Sequence, residues 1–327
     1  MRAEGGALAV RLAPGEHGLQ ARIIRIGTRG SALALAQAHE VRGRLMAAHK
    51  LPDTAFEIVV IKTSGDIILD RPLAEVGGKG LFTKEIEEAL LARTIDLAVH
   101  SMKDMQTALP PGLTLGAVLP REDVRDAFIS FKYPSLAAMP AGARVGTSSL
   151  RRQAQVKRLR PDLEVVGFRG NVQTRLNKLR DGVADATFLA CAGLNRLGLA
   201  QHITARVAAE DMLPAVAQGA IGIETRADDE ATADLVAPMN DAATALCVTA
   251  ERAFLARLEG NCRTPIAGLA TLDGGRLRMR GVLLSPDGRD SFETAREGGP
   301  EGAIALGEAA ADDLLARAGP GFVVARA

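Results

Sequence analysis

The feature that most narrows the possible folds is a unit that occurs twice: a short apolar strand, a Gly-Thr turn and the start of an amphipathic helix. In the first copy, Ile26-Gly27-Thr28-Arg29-Gly30-Ser31 joins a strand at residues 23–27 to a helix over 31–49. In the second, Val145-Gly146-Thr147-Ser148-Ser149 joins a strand near Arg144 to a helix that carries Arg151 and Arg152 in its first turn. Each turn presents N–H groups and hydroxyls at the carboxyl end of a strand, where open α/β sheets bind ligands. So short a similarity fits either an internal duplication or common turn chemistry.

Around these units apolar strands alternate with helices, which reads as α/β with a largely parallel sheet in each half. Strands are expected at 56–62, 96–99 and 113–119, with a helix over 83–93. Residues 120–123 form a crossing point to a second set, with strands near Arg144, Glu164 and Ala186. Residues 219–224 read as a strand returning to the first set. A helix over 242–258 then leads to antiparallel strands at 266–271, 276–284 and 291–296 and a helix over 302–317, a small α+β domain. The expected division is a flexible extension (1–21), domain 1 (22–119 plus 218–238), domain 2 (120–217) and domain 3 (239–327). Domains 1 and 2 are expected to be two lobes around a cleft. The stretch 63–82, with Gly77, Gly78 and Gly80, reads as a lid or a plain surface loop.

The 327 residues, 47% apolar, suffice for two or three cores. The first 21 residues lack the apolar stretch of a signal peptide, and the uncharged run 105–120 is broken by Pro110, Pro111, Gly112 and Gly116. A soluble, cytoplasmic protein is expected. Cys191, Cys247 and Cys262 form no Cys-x-x-Cys pair and the five histidines show no ligand spacing, so neither a disulfide framework nor a metal is expected.

Charge is unevenly distributed. Residues 151–180 hold nine Lys or Arg against Asp162 and Glu164, although the whole chain carries a formal charge of only +1. Two helices in this tract begin with arginine: Arg151 and Arg152 after Ser149, and Arg175 after the capping residue Asn171. A helix amino end is already partly positive, so cations there call for an anion. For any one arginine a solvated helix face is the simpler reading; the cluster points to an anionic partner. The tract has a single aromatic, Phe168, which leaves it without the stacking platforms of single-strand nucleic-acid binders. A small polyanion fits better.

Six segments, in order and at compatible spacing, resemble the porphobilinogen deaminase (hydroxymethylbilane synthase) family. They are Gly27-Thr-Arg-Gly-Ser-Ala-Leu-Ala-Leu-Ala-Gln37, Gly77-Gly-Lys-Gly-Leu-Phe-Thr-Lys-Glu85, Val99-His-Ser-Met-Lys-Asp104, Gly146-Thr-Ser-Ser-Leu-Arg-Arg-Gln153, Arg169-Gly-Asn-Val-Gln-Thr-Arg-Leu176 and Ala192-Gly-Leu-Asn-Arg-Leu-Gly-Leu199. The resemblance implies two periplasmic-binding-protein-like (type II) lobes around a cleft and a third domain with an antiparallel sheet. It implies a dipyrromethane cofactor bound covalently through Cys262, one per chain, with porphobilinogen as substrate, a monomeric state, and no nucleic-acid or membrane partner.

Carried over by position, the resemblance makes Asp104 catalytic. It assigns Lys103, Asp104, Ser101, Thr147, Ser149, Arg151, Arg152, Arg175 and Asn171 to the cofactor. Arg29, Ser31, Gln37, Arg169, Arg196, Phe82, Lys79 and Gln218 go to the substrate. Read without it, Cys262 is an ordinary buried thiol or an exposed loop residue, and Asp104 a helix cap or a mate for Lys103. The chain departs from the family pattern at Ala32, Gln106, Ala217 and Asn261; Ala217 stands where glycine is common and bears on the geometry of the crossing back. The competing readings are a two-lobed anion receptor without catalysis and an RNA-binding protein.

Overall fold

The protein is described by a computed structural model that covers residues 23–67, 80–258, 265–319 and 322. Its first sheet contains β1 (Ile24–Arg29), β2 (Phe56–Ile61), β3 (Leu97–Ser101), β4 (Leu113–Val118) and β10 (Ile221–Arg226), in the order β2-β1-β3-β10-β4. The second contains β5 (Asp126–Ile129), β6 (Arg144–Gly146), β7 (Glu164–Val166), β8 (Ala186–Ala190) and β9 (Ala205–Arg206), in the order β7-β6-β8-β5-β9. Matching β1 with β6, β2 with β7, β3 with β8, β10 with β5 and β4 with β9 gives one pattern twice. The two Gly-Thr turns occupy equivalent places in it, so their similarity is architectural. This repeated strand order gives the two similar lobes that the resemblance implies.

The sheets are mixed, which corrects the expectation of a largely parallel arrangement. β1 pairs in parallel with β2 and β3, while β10 runs antiparallel to β3 and β4. In the second sheet β5 runs antiparallel to β8 and β9. β5 and β10 each enter a lobe from the other one. A chain crossing at the carboxyl ends of the parallel strands must enter against their direction.

Both faces of the first sheet are covered. The helix Ala32–His49, capped by Ser31, lays Ala38, Val41 and Leu45 against Ile26, Val99 and Ile223. Ile86 and Leu90 of the helix Lys84–Leu91 cover Ala98 and Leu113 on the other side. These spacings of three and four residues are one face of a helix.

The third unit is an antiparallel sheet of β11 (Ile266–Asp273), β12 (Arg276–Leu284) and β13 (Ser291–Gly298). Gly274 and Gly275, with φ of 54° and 76°, make the two-residue hairpin between β11 and β12, a turn that demands positive φ at both positions. The helices Ala242–Arg257 and Ala303–Ala318 pack Phe254, Ala310 and Leu314 against Leu277, Met279 and Leu283. The same cluster continues into the first lobe through Met102 and Met105. On the other side, Ala267, Leu269, Val282 and Leu284 pack with Ala154 and Leu213 of the second lobe.

One buried carboxylate joins all three units. Glu251, on the helix Ala242–Arg257, is fully buried and accepts from both terminal nitrogens of Arg121, at 2.6 and 3.0 Å. It also accepts the backbone N–H of Ala217, at 2.5 Å, and of Ala270, at 2.7 Å. Arg121 lies on the first crossing, Ala217 on the crossing back, and Ala270 on β11. Burial opposes the Arg121 charge, but Glu251 outweighs it and raises the guanidinium's pKa. Breaking one side of such a buried pair leaves an uncompensated charge and costs about 3–5 kcal/mol. Glu251→Ala should therefore lower the thermal midpoint by many degrees, and a shift within about 1 kcal/mol of wild type would show that the junction does not depend on this carboxylate.

Candidate active site

On the first lobe, β1 ends at Arg29 and β3 ends at Ser101, side by side at the carboxyl edge of the sheet. Arg29 pairs with Asp66 through Nη2 at 2.5 Å and Nε at 3.2 Å, and its guanidinium lies 4.1 Å from the centre of the Phe82 ring. Burial pushes the Asp66 carboxyl up, but hydrogen bonds from Arg29 and Thr63 outweigh it and hold the group below its ordinary value. Gln37, 3% exposed, reaches under the edge to exchange hydrogen bonds with Ser101 at 2.9 and 3.1 Å. Ser31 spends its oxygen on the helix, accepting the Ala34 N–H.

After Ser101 the chain makes one tight turn, Met102–Asp104. Met102 and Met105 are buried in the core shared with the third unit, and this leaves Lys103 and Asp104 facing outward. Arg252 fixes the segment beyond, donating to the carbonyls of Gln106 and Thr107 at 2.7 and 3.0 Å. Lys103 reaches solvent yet is crowded on its flanks by protein. This desolvation holds its amine below the ordinary lysine value; Arg152 and Arg151 add to the effect, while Asp104 and Asp126 oppose it. Lys103 therefore senses both the first-lobe carboxylate and the second-lobe arginines across the cleft.

On the second lobe, Ser149 caps the helix Leu150–Leu159 and Thr147 is buried beneath it. Arg151 and Arg152 are 7% and 6% exposed, and both reach Asp126, the first residue of β5. Arg152 Nη2 donates to Asp126 Oδ1 at 2.8 Å, and Arg152 Nη1 to the Phe188 carbonyl at 2.8 Å. Arg151 Nη2 lies 2.9 Å from Asp126 Oδ2 but out of line for a hydrogen bond, so that contact is electrostatic. Its Nη1 donates to the Leu213 carbonyl. Gln218, 1% exposed, ties Asp126 to the crossing through the Val124 carbonyl. Burial works against the Asp126 charge, but Arg151 and Arg152 outweigh it and hold the carboxyl far below the ordinary range. The anion that the reversed helix start calls for is thus partly internal. Two cations share one carboxylate, and Arg152 Nε is left buried without a hydrogen-bond partner among the described residues.

The second arginine-led helix, Val172–Arg180, is capped by Asn171, which accepts from the N–H and hydroxyl of Thr174. Arg175 donates to the Gly170 carbonyl at 2.8 Å and has no carboxylate partner among the described residues. Burial, then the charges of Arg152 and Arg169, push its guanidinium down to about 10. Arg196 crosses between lobes: its Nε lies 3.3 Å from Glu40 on the first-lobe helix, and its Nη2 donates to the Gly219 carbonyl.

The structure therefore gathers Arg29, Ser31, Gln37, Phe82, Ser101 and Asp104 around one cavity. It gathers Arg151, Arg152 and Arg175 by charge on the facing lobe, with Lys103 between. Arg196 and Gln218 sit behind this group, at the lobe contact and the crossing. Lys79 and Cys262 lie outside the described residues. Asp126 was not singled out from the sequence: in Arg-Glu-Asp-Val-Arg-Asp it reads as surface charge, and only the pairing of β5 with β8 buries it.

A two-lobed α/β protein with an anion-accepting cleft is the class that this fold and site define. The chain belongs to the porphobilinogen deaminase family. The family description "Porphobilinogen deaminase, dipyromethane cofactor binding domain" matches residues 24–234, and "Porphobilinogen deaminase, C-terminal domain" matches 245–316. The protein named porphobilinogen deaminase from Paracoccus denitrificans is 62% identical over 299 residues, covering 91% of this chain and 96% of that relative. Its namesake from Nitrobacter hamburgensis is 59% identical over 297 residues, covering 91% and 94%. Among solved structures, the methionine-binding protein MetQ overlays 66% of this chain and 89% of its own at a TM-score of 0.42 and 14% identity.

A half-buried arginine without a carboxylate opposes folding, so Arg175→Leu should leave the thermal midpoint unchanged or raised while weakening the binding of anionic ligands. A drop in midpoint comparable to that of a core substitution would assign Arg175 to structure alone. Asp126 shows the opposite behaviour. Its carboxyl is depressed in the fold, so its stabilisation is fully present above the unfolded value near 3.8 and is lost as pH falls toward the folded value. Asp126→Asn should be less stable than wild type at neutral pH, and the gap should narrow on acidification below about pH 4.

Proposed function

We propose that this chain condenses four porphobilinogen molecules head to tail, with loss of ammonia at each addition, onto a dipyrromethane primer held by Cys262, and then hydrolyses the product to hydroxymethylbilane. This makes it a transferase. The observation that supports the reading best is the charge arrangement of the cleft: the outward-facing carboxylate Asp104 stands by Lys103, which also feels Arg151 and Arg152 of the facing lobe, and Arg175 lies beside Arg152 and Arg169. Porphobilinogen carries an acetate and a propionate, so each ring adds two carboxylates to be held. Arginine suits that load because it stays charged and grips a carboxylate through parallel hydrogen bonds.

A dipyrromethane fits the residues present, because the uncompensated Arg175 cation and the orphaned Arg152 Nε both call for an anionic group. Lys103, Ser101, Thr147, Ser149, Asn171, Arg151, Arg152 and Arg175 would hold it, and when bound it supplies a pyrrole carbon as nucleophile. Arg29, Arg169 and Lys79 hold the carboxylates of the incoming substrate, with Ser31, Gln37 and Phe82 orienting it, while Arg196 and Gln218 support the site from behind. Arg29 must exchange Asp66 for a substrate carboxylate to do so. Asp104 accepts pyrrole N–H bonds while positive charge develops on the pyrrole nitrogens, and takes the proton that the ring gives up.

The same reading places domain 1 at residues 22–119 plus 218–238, domain 2 at 120–217 and domain 3 at 239–327, with residues 1–21 as an extension. A monomeric cytoplasmic state, with no nucleic-acid partner, accompanies it. Among the described residues, no helix is long and apolar enough to cross a membrane.

The intact mass of the denatured chain tests the proposal. The expected result is an excess of one dipyrromethane, present at isolation or acquired from porphobilinogen, and absent from Cys262→Ala. Asp104→Asn should retain that excess and lose most turnover, by about 10²–10⁴-fold. A chain that never acquires the adduct would instead be an anion receptor, and normal turnover by Asp104→Asn would remove the assigned role.

A further inference from the structure

Beneath the Asp104 turn lies a second set of ionisable groups that the condensation described above leaves unused. His100, next to Ser101 on β3, is 5% exposed, and its Nε2 lies 3.0 Å from Glu224 Oε2 on β10. Glu224 is fully buried, and so, nearly, is Glu87 on the helix Lys84–Leu91. In the register of β3 with β10, Gly222 lies opposite His100, which places His100 and Glu224 diagonally on one face of the sheet. The missing side chain at Gly222 is required there, since a Cβ would fall 2.1 Å from Met102 Sδ. Glu224 and Glu87 each keep one buried carboxylate oxygen, Oε1, without a hydrogen-bond partner among the described residues.

Three elements packed around this group contribute charges: Glu85 and Glu87 from the helix Lys84–Leu91, Glu224 from β10 and Arg252 from the helix Ala242–Arg257. Burial raises the Glu87 carboxyl and the Glu224 and Glu85 charges add to that, against Thr83 and His100. Burial likewise depresses Arg252 from the helix Ala242–Arg257, and Glu224 opposes the shift. Glu224 is the carboxylate that faces the imidazole. A neutral imidazole that donates Nε2–H to a carboxylate presents Nδ1 as an acceptor. His100 has no other hydrogen-bond partner among the described residues, and it lines the cavity shared with Asp104, Ser101 and Gln37. That cavity, of about 50 Å³, has room for a water or two but not for a pyrrole ring.

We propose that His100, oriented by Glu224, is the inner station of a proton relay that serves Asp104. The inference rests on the condensation activity proposed above. As each carbon–carbon bond is completed, the attacking pyrrole carbon loses its hydrogen and the C–H electron pair returns to the ring. Asp104 takes the proton, and water in the cavity passes it to His100 Nδ1, giving an imidazolium paired with Glu224. The proton returns by the same path to the ammonia released in that cycle, which departs as ammonium. His100 and Glu224 thus act through Asp104 without touching substrate.

The test uses His100→Gln and Glu224→Gln in the primer-loaded protein, each matched to wild type by adduct mass and circular dichroism. Both should lower kcat about 10- to 100-fold with KM within about twofold of wild type, since proton transfer by a positioned side chain is worth about 10²–10⁴-fold and a relay station less than the primary group. The kcat–pH profile should differ from that of wild type in both variants. Wild-type kcat and pH profile in His100→Gln would overturn the relay, and that variant alone decides the point if Glu224→Gln does not fold. A ¹⁵N spectrum of the wild-type imidazole, assigned by its absence in His100→Gln, should show the proton on Nε2; a proton held on Nδ1 would also overturn it. Inactive wild-type protein would instead refute the condensation activity itself.

Discussion

The grip of Glu251 on both crossings is the constraint from which the rest of the architecture follows. A carboxylate with no exposure must find several donors, and here they are the Arg121 guanidinium and the backbone N–H groups of Ala217 and Ala270. Each donor belongs to a different part of the chain. The arrangement explains how a non-glycine residue is held at Ala217, whose φ of 59° lies in the left-handed region that disfavours a Cβ. The family pattern raised a question about this turn, and the structure keeps the turn with alanine in place. The hydrogen bond to Glu251 and the packing of a residue only 1% exposed hold it there.

From that junction the constraint passes outward to the cleft. Gln218, next to Ala217, bonds Asp126, and Asp126 sets both arginines of the helix Leu150–Leu159. On the first lobe, Met102 and Met105 sink into the core that includes Phe254, so the outward direction of Lys103 and Asp104 is a consequence of packing. The site is thus built by groups that do not face it. Its electrostatics follow the same logic: one internal carboxylate offsets two arginines, Arg175 is left uncompensated, and the cleft keeps an appetite for anions without the cations driving each other apart.

The parts of this design that were legible in the sequence are local. The Gly-Thr turns, the serine and asparagine caps and the arginines at helix starts are chemistry within a few residues, and they point to an anion site before any contact is known. Strand direction is not local. β10 and β5 have the same apolar character whichever way they run, and only their arrival from the opposite lobe makes them antiparallel. Internal neutralisation is not local either. Asp126 and Arg151 are not neighbours in the chain, and neither are Arg196 and Glu40, whose pairing links the lobes. His100 and Glu224 share this character, since nothing in either segment marks the other as its partner.

The place of β10 between β3 and β4 also sets an order of assembly during synthesis. Among the described residues β4 has no neighbour in its sheet other than β10, so the first lobe is incomplete until residue 226 has left the ribosome. The second sheet, by contrast, uses strands drawn from one continuous stretch, Asp126 to Arg206. The lobe encoded second can therefore close first, while β4 waits on the order of 5–20 s at typical elongation rates. During that interval its apolar residues Leu113, Ala117 and Val118 lack their final cover, and this is the period in which a nascent chain of this topology most needs a chaperone's protection.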